Sequence, residues 1–85
     1  MMIKVRVRYF ASLREALGAG ETVELAAGTT LGGLRDLLVE RGGRHAEKLA
    51  PGRAVRCALD QAMADETTLL PDDAEVAFFP PVTGG

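Results

Sequence analysis

The chain ends with Glu75-Val76-Ala77-Phe78-Phe79-Pro80-Pro81-Val82-Thr83-Gly84-Gly85, and the first five of these residues have the pattern of a β-strand. Val76 and Phe78 lie on one face of that strand, whereas Ala77 and Phe79 lie on the other. A strand that is apolar on both faces is typical of the centre of a sheet. The two prolines that follow cannot continue a central strand and impose an extended course. The sequence therefore predicts a central last strand and a projecting tail.

Two further strands are predicted near the start of the chain. Residues 3–10 alternate between apolar side chains and a face that carries three cations. Residues 21–25 alternate again, and we expect them to pair with the first strand as a hairpin. Between the two, Ser12 to Glu15 has the spacing of a capping box, which predicts one short helical turn.

The main helix is predicted over residues 30–41, with Thr30 as its N-cap and leucines at helical spacing. Residues 44–52 are mostly polar and are expected to form a loop that ends in a turn. Two more strands follow at 53–59 and 62–64. One helix packed on one face of a single mixed sheet is a two-layer α+β arrangement. We assign residues 1–80 to one domain and 81–85 to an extended tail.

One face of this sheet is expected to remain open, because a single long helix covers only the other face. If the last strand neighbours the first, Phe79 and Phe10 lie together on the open face, beside Arg6 and Arg8. Exposed apolar surface of this kind often marks the site where a partner protein binds. The alternative is that a few large side chains simply lie on the surface.

Composition excludes several classes of protein. The 85 residues carry 10 Lys and Arg against 12 Asp and Glu, and the formal net charge of −2 argues against a nucleic-acid partner. The single cysteine, Cys57, cannot form an internal disulfide, and with His45 as the one histidine a zinc site is not expected. No apolar run approaches the roughly 20 residues that cross a bilayer, so we expect no membrane partner and a cytoplasmic location.

The tail carries its only reactive group at its end. Gly84 and Gly85 have no side chains, so this strip of chain can enter a slot that any Cβ would block. The terminal carboxylate is ionised at neutral pH and is a poor acyl donor, because its charge repels nucleophiles. Chemistry at Gly85 would therefore need activation by another protein. The alternative is that the two glycines form a flexible end without a function.

These segments resemble a known family. The order of strands and helix, with its projecting Gly-Gly, is similar to the ubiquitin-like β-grasp fold. The segment Tyr9-Phe10-Ala11-Ser12-Leu13-Arg14-Glu15 and the ending Phe79-Pro80-Pro81-Val82-Thr83-Gly84-Gly85 resemble the MoaD/ThiS-type sulfur carriers, above all the small subunits of molybdopterin synthase. Two departures concern turns: Asp72-Asp73-Ala74 stands where the family often has Asp-Gly-Asp, and Asp60 where Asn is common.

The resemblance implies a specific chemistry. An ATP-dependent activating enzyme would adenylate Gly85, and a sulfur donor protein would convert it to a thiocarboxylate. The tail would then enter the large catalytic subunit of molybdopterin synthase, in a heterotetramer, and deliver sulfur to cyclic pyranopterin monophosphate. The chain would bind no cofactor and would not be catalytic alone. Gly84 would give access, and the tail would dock through residues Phe79, Pro80, Pro81, Val82 and Thr83.

Three alternatives remain open on the sequence. A carrier of the same fold could supply sulfur for thiamine, cysteine or tRNA thiolation, and a ubiquitin-like modifier could be joined to lysines through Gly85. A plain binding module would never use its terminus. Other polar features have simpler interpretations. Cys57 shares strand parity with core residues, which predicts a buried thiol, and His45 is predicted to be a solvated loop histidine. The acidic run from Asp72 to Glu75 is predicted to be a solvated turn.

Overall fold

A computed structural model describes residues 1–81. Within that range, none of the helices combines the length and the apolar character needed to cross a membrane. Five strands and three helices follow one another along the chain: β1 (Met2–Tyr9), α1 (Ala11–Leu17), β2 (Gly20–Ala26), α2 (Leu31–Glu40), α3 (Gly43–Leu49), β3 (Arg56–Leu59), β4 (Ala62–Ala64) and β5 (Ala74–Phe79).

The five strands form one mixed sheet in the order β2-β1-β5-β3-β4. The last strand therefore lies at the centre, as its two apolar faces predict. It runs parallel to β1, with Val5 opposite Ala74 and Tyr9 opposite Phe78. The other neighbouring pairs, including the predicted β1–β2 hairpin, are antiparallel. The sheet thus brings together segments from the two ends of the chain.

The core lies between one face of the sheet and the helices. Alternate residues of β1 from Ile3 to Tyr9 are buried, whereas the residues between them are exposed. Leu31, Leu34 and Leu38 of α2 are fully buried against this face. The aromatic part of the core is the stacked pair of Tyr9 and Phe78, whose ring centroids lie 6.2 Å apart. The predicted two-layer α+β arrangement is confirmed.

The two predicted helix starts have different outcomes. Thr30 caps α2, because its Oγ1 accepts a hydrogen bond of 3.1 Å from the backbone N–H of Gly33. The capping-box expectation at Ser12 is wrong, since α1 already begins at Ala11 and its N-cap is Phe10. The N–H of Phe10 donates to the carbonyl of Phe78 at 3.1 Å, so the sheet sets where this helix begins.

The loop expected over residues 44–52 contains the third helix, and that part of the prediction is wrong. Helix α3 runs from Gly43 to Leu49, and Leu49 is fully buried. Gly42 and Gly43 both have positive φ, so the chain turns sharply between α2 and α3. A two-turn helix with few inward residues leaves almost no periodic signal in a sequence. Tertiary packing, which the sequence pattern does not record, stabilises it.

Arg35 of α2 is the one buried charged residue among those described, with 4% of its surface exposed. Its guanidinium donates to the carbonyls of Leu49 at 2.7 Å, Ala50 at 2.7 Å and Arg53 at 3.0 Å. It also donates to the carboxylate of Glu66 at 2.9 Å. These bonds satisfy the carbonyls at the end of α3, which would otherwise be left without partners. Arg35 thereby joins α2, α3 and the chain before β3.

Replacing Arg35 should therefore destabilise the fold strongly. We expect Arg35→Met to lower the free energy of unfolding by about 3 kcal/mol or more, because three carbonyls and a carboxylate lose their donor. Urea denaturation at neutral pH measures the change. Arg44→Met on exposed α3 surface is the matched control and should stay within about 0.5 kcal/mol of the original chain. Equal stability of the two variants would contradict this role for Arg35.

Candidate functional site

The candidate site lies where β1 and β5 end side by side. Because these strands are parallel, their carboxyl ends meet at one edge of the sheet, with Phe10 following β1 and Pro80 following β5. Arg8 faces Ala77 across this pair, and Arg56 of β3 lies opposite Phe79 on the other side of β5. The tail therefore starts from the centre of the open sheet face, next to the start of α1.

An open groove of about 710 Å³ occupies this edge, and we call it the docking groove. Phe10 has 37% of its surface exposed there, and the Arg8 guanidinium lies 5.3 Å from the centre of its ring. The lining combines apolar side chains with three polar ones, Arg8, Gln61 and Glu75. It consists of Arg8, Phe10, Ala11, Gln61, Glu75, Ala77, Phe79, Pro80 and Pro81.

The charges in and beside the docking groove are only loosely paired. The carboxylate of Glu75 lies 3.9 Å from the nearest guanidinium nitrogens of both Arg6 and Arg8. Both arginine side chains are about half exposed, at 53% and 54%. Such long surface pairs contribute about 0–1 kcal/mol each. These groups can therefore exchange partners when another protein covers the groove.

The acidic run forms the turn that precedes β5 and the start of that strand. An oxygen of Asp72 accepts the backbone N–H of Lys4 at 2.9 Å, and Asp73 lies 3.7 Å from the Arg6 guanidinium. Among residues 1–81, no three His, Cys, Asp or Glu side chains are grouped so that they could hold a metal ion. Through Asp72 and Asp73, this turn is therefore bonded to Lys4 and Arg6 of β1.

Gln61 is a groove residue that the sequence analysis did not single out. Asp60 and Gln61 form the two-residue turn between β3 and β4, and both have positive φ. The carboxylate of Asp60 accepts the backbone N–H of Glu75 at 2.9 Å, which holds this turn against β5. The turn was visible in the sequence, but its proximity to β5 depends on the order of the strands.

The structure brings four of the predicted site residues to one groove: Phe10, Phe79, Pro80 and Pro81. Their role as a partner surface stays a prediction, although their positions agree with the parity argument. Val82, Thr83, Gly84 and Gly85 lie outside the described residues. The same holds for most of the predicted tail at 81–85, so the domain assignment also stays a prediction.

Cys57 lies in the core, as predicted, with 5% of its surface exposed. Burial raises the pKa of its thiol to about 11, with a smaller opposing effect from Arg35. The thiol is therefore protonated at neutral pH and is a weak nucleophile. It lines a second cleft of about 520 Å³ that also reaches Pro81, but its chemistry there is that of a small apolar side chain.

The prediction for His45 is wrong, because this residue lies within helix α3 and its side chain is only 23% exposed. Its ring meets Tyr9 edge to face, and Nε2 lies 3.5 Å from Glu21. Tyr9 donates to the same carboxylate at 3.1 Å, and Arg41 pairs with its other oxygen. Partial burial opposes ionisation of Glu21, but Arg41 and Tyr9 outweigh it and hold the pKa of this carboxyl below its usual range.

In this fold one long helix packs across a mixed sheet, and the first and last strands lie parallel at the centre of that sheet. This arrangement defines a ubiquitin-like β-grasp protein. Ubiquitin of Caldiarchaeum subterraneum has the same fold, with a TM-score of 0.65 at 18% identity over all of both chains. The model of the ThiS family matches residues 7–85. The chain belongs to the ThiS family.

Two named relatives show which members of the family this chain is similar to. The molybdopterin synthase sulfur carrier subunit of Mycobacterium tuberculosis is 41% identical over 86 residues, covering 99% of this chain and 100% of that protein. Subunit 1 and subunit 2 of the molybdopterin-converting factor of Helicobacter pylori have been solved as a protein–protein complex. A chain of that complex matches with a TM-score of 0.63 and 30% identity over all of both chains. The resemblance seen in the sequence is confirmed.

The raised pKa of Cys57 has a consequence at alkaline pH. The thiol of an unfolded chain has a pKa of about 8.5, whereas the buried thiol has a pKa of about 11. Between these values the unfolded state binds fewer protons, so the free energy of unfolding falls as the pH rises. Chemical denaturation at several pH values should show a steeper fall for the original chain than for Cys57→Ala. Parallel pH profiles would contradict the assignment.

Proposed function

We propose that this chain is a sulfur carrier in molybdenum cofactor biosynthesis and the small subunit of a molybdopterin synthase. The observation that carries the proposal is the sequence identity of 41%, over 99% of this chain, to a molybdopterin synthase sulfur carrier subunit. The docking groove supports it, since a carrier needs a surface for a partner beside the exit of its tail. The match to a chain from a two-subunit complex supports a larger second subunit as that partner.

The chemistry would take place at Gly85, as the C-terminal residue. Its carboxylate oxygen attacks the α-phosphorus of ATP on an activating enzyme, which releases pyrophosphate and leaves an acyl-adenylate. Hydrosulfide supplied by a sulfur donor protein then displaces AMP, which leaves with the former acyl–phosphate oxygen, and the thiocarboxylate remains on Gly85. Adenylation is needed because a free carboxylate repels nucleophiles and has no good leaving group. ATP is used by the activating enzyme, and this chain holds no cofactor of its own.

The synthase step would use the same tail. Gly84 and Gly85 let the thiocarboxylate reach cyclic pyranopterin monophosphate inside the large subunit, with Val82 and Thr83 along the entry. Phe10, Phe79, Pro80 and Pro81 would dock the body of the carrier at the mouth of that site. Most catalytic groups would then belong to the large subunit, in a cytoplasmic heterotetramer. This chain contributes the sulfur and the position of the tail.

Blocking the end of the chain tests the proposed chemistry. With the activating enzyme, ATP and a sulfur source, intact mass should rise by the exchange of one oxygen for one sulfur. One extra residue after Gly85 should abolish this gain, because the reactive carboxylate is moved out of place. A single extra residue before Met1 is the matched control and should leave the gain unchanged. Normal conversion of the C-terminally extended chain would sink the proposal, and adducts on lysines would indicate a modifier instead.

The docking groove should contribute much of the affinity for the large subunit. We expect Phe10→Ala to weaken binding by about tenfold or more, since aromatic anchors dominate such interfaces. Leu37→Ala is the matched control, because Leu37 is exposed to nearly the same extent, 39% against 37%, on α2 away from the groove. Calorimetry with the purified large subunit measures both. Equal affinities of the two variants would contradict a role of the docking groove in binding the large subunit.

A further inference from the structure

Another surface at the start of the tail is separate from the docking groove and from the cleft beside Cys57. It is a cleft of about 270 Å³ between α1, α3 and the chain before β3, and we call it the tail-base cleft. Ser12, Lys48, Gly52, Arg53 and Pro80 are among its lining residues. Of these, only Pro80 also lines the docking groove. The two surfaces therefore flank the start of the tail.

The tail-base cleft lies in a basic segment of the chain. Residues 44–56 contain four cations, Arg44, Lys48, Arg53 and Arg56, against the single acid Glu47, a local charge of +3. The whole chain has a formal charge of −2. This segment is thus positive in a chain whose net charge is negative, and two of its four cations line the cleft.

The two cations of the cleft are held in position but have little to pair with. The Lys48 ammonium lies 3.8 Å from Glu47, whose side chain is 66% exposed, so this pair contributes little. Arg53 forms no ion pair with any residue in 1–81. Its backbone carbonyl, however, accepts a 3.0 Å hydrogen bond from Arg35, which fixes the chain that carries it. Gly52 adds no side chain, and a Cβ there would meet nothing within 4 Å.

We propose that the tail-base cleft takes an acidic side chain of the subunit that receives the tail. This inference rests on the proposed function, which supplies that subunit. A protein that covers the docking groove reaches Pro80, and with it the rim of the cleft. Beneath such a protein the Lys48 and Arg53 head groups lose their contact with water and salt ions. A carboxylate placed between the two head groups compensates for this loss. A free anion would meet the same groups in open water, where their attraction is weak.

Charge reversal tests the contact in the full-length chain. Lys48→Glu and Arg53→Glu should each weaken binding to the purified large synthase subunit by about tenfold at low salt. The loss should shrink as the salt concentration rises. Arg44→Glu is the matched control, because it makes the same charge change on the exposed surface of α3 outside the cleft. Binding by the control should stay within about twofold of the original chain, and thermal melts should confirm that all three variants fold.

The outcomes separate this inference from the proposed function. Loss of affinity at Lys48 and Arg53 but not at Arg44 supports the cleft. Equal losses at all three positions would mean only long-range attraction, and unchanged binding of the two cleft variants would mean no contact; either result overturns the inference while the carrier role stands. If the original chain did not bind the large subunit at all, the proposed function would fail and the contact with it. Should Lys48→Glu fail to fold, Lys48→Gln and Arg53→Glu decide the question.

Discussion

The parallel pairing of β1 with β5 is the interaction on which the rest of the structure depends. It joins Val5–Tyr9 to Ala74–Phe78, two segments from opposite ends of the chain. Parallel strands cannot be joined by a tight turn, so everything between them has to form the crossover. That crossover contains the main helix, which covers one face of the sheet and leaves the other open. The exit of the tail from the sheet centre follows from the same pairing.

At the carboxyl ends of β1 and β5, adjacent residues lie on opposite faces of the sheet. Tyr9 stacks on Phe78 in the core, while Phe10 lies in the docking groove with Phe79. A strand alternates between its two faces, so one register both fills the core and places the aromatics of the groove. A shift by one residue would exchange these roles and expose the core. The groove is thus as firmly positioned as the core itself.

Two polar networks, a buried one around Arg35 and a half-buried one around Glu21, hold the helices onto this sheet. Arg35 binds the carbonyls at the end of α3 and the chain before β3. Glu21 gathers Tyr9, Arg41 and His45 at the opposite edge. Neither network was predicted, because the apolar pattern of α2 gives no sign that the polar Arg35 is buried, and His45 lies in a mostly polar segment. A buried charge is tolerated only where its partners converge, and convergence is a property of the fold.

The sequence by itself determined the strands with clear alternation, the main helix with its Thr30 cap, the buried Cys57 and the resemblance to sulfur carriers. These features depend on local periodicity or on short motifs, which a sequence displays directly. The tertiary structure alone decided that α3 is a helix, that α1 begins at Ala11, and that Gln61 reaches the groove. It also brought Lys48 and Arg53 to the base of the tail. Each of these depends on contacts between segments that are separated along the chain, and local periodicity does not record such contacts.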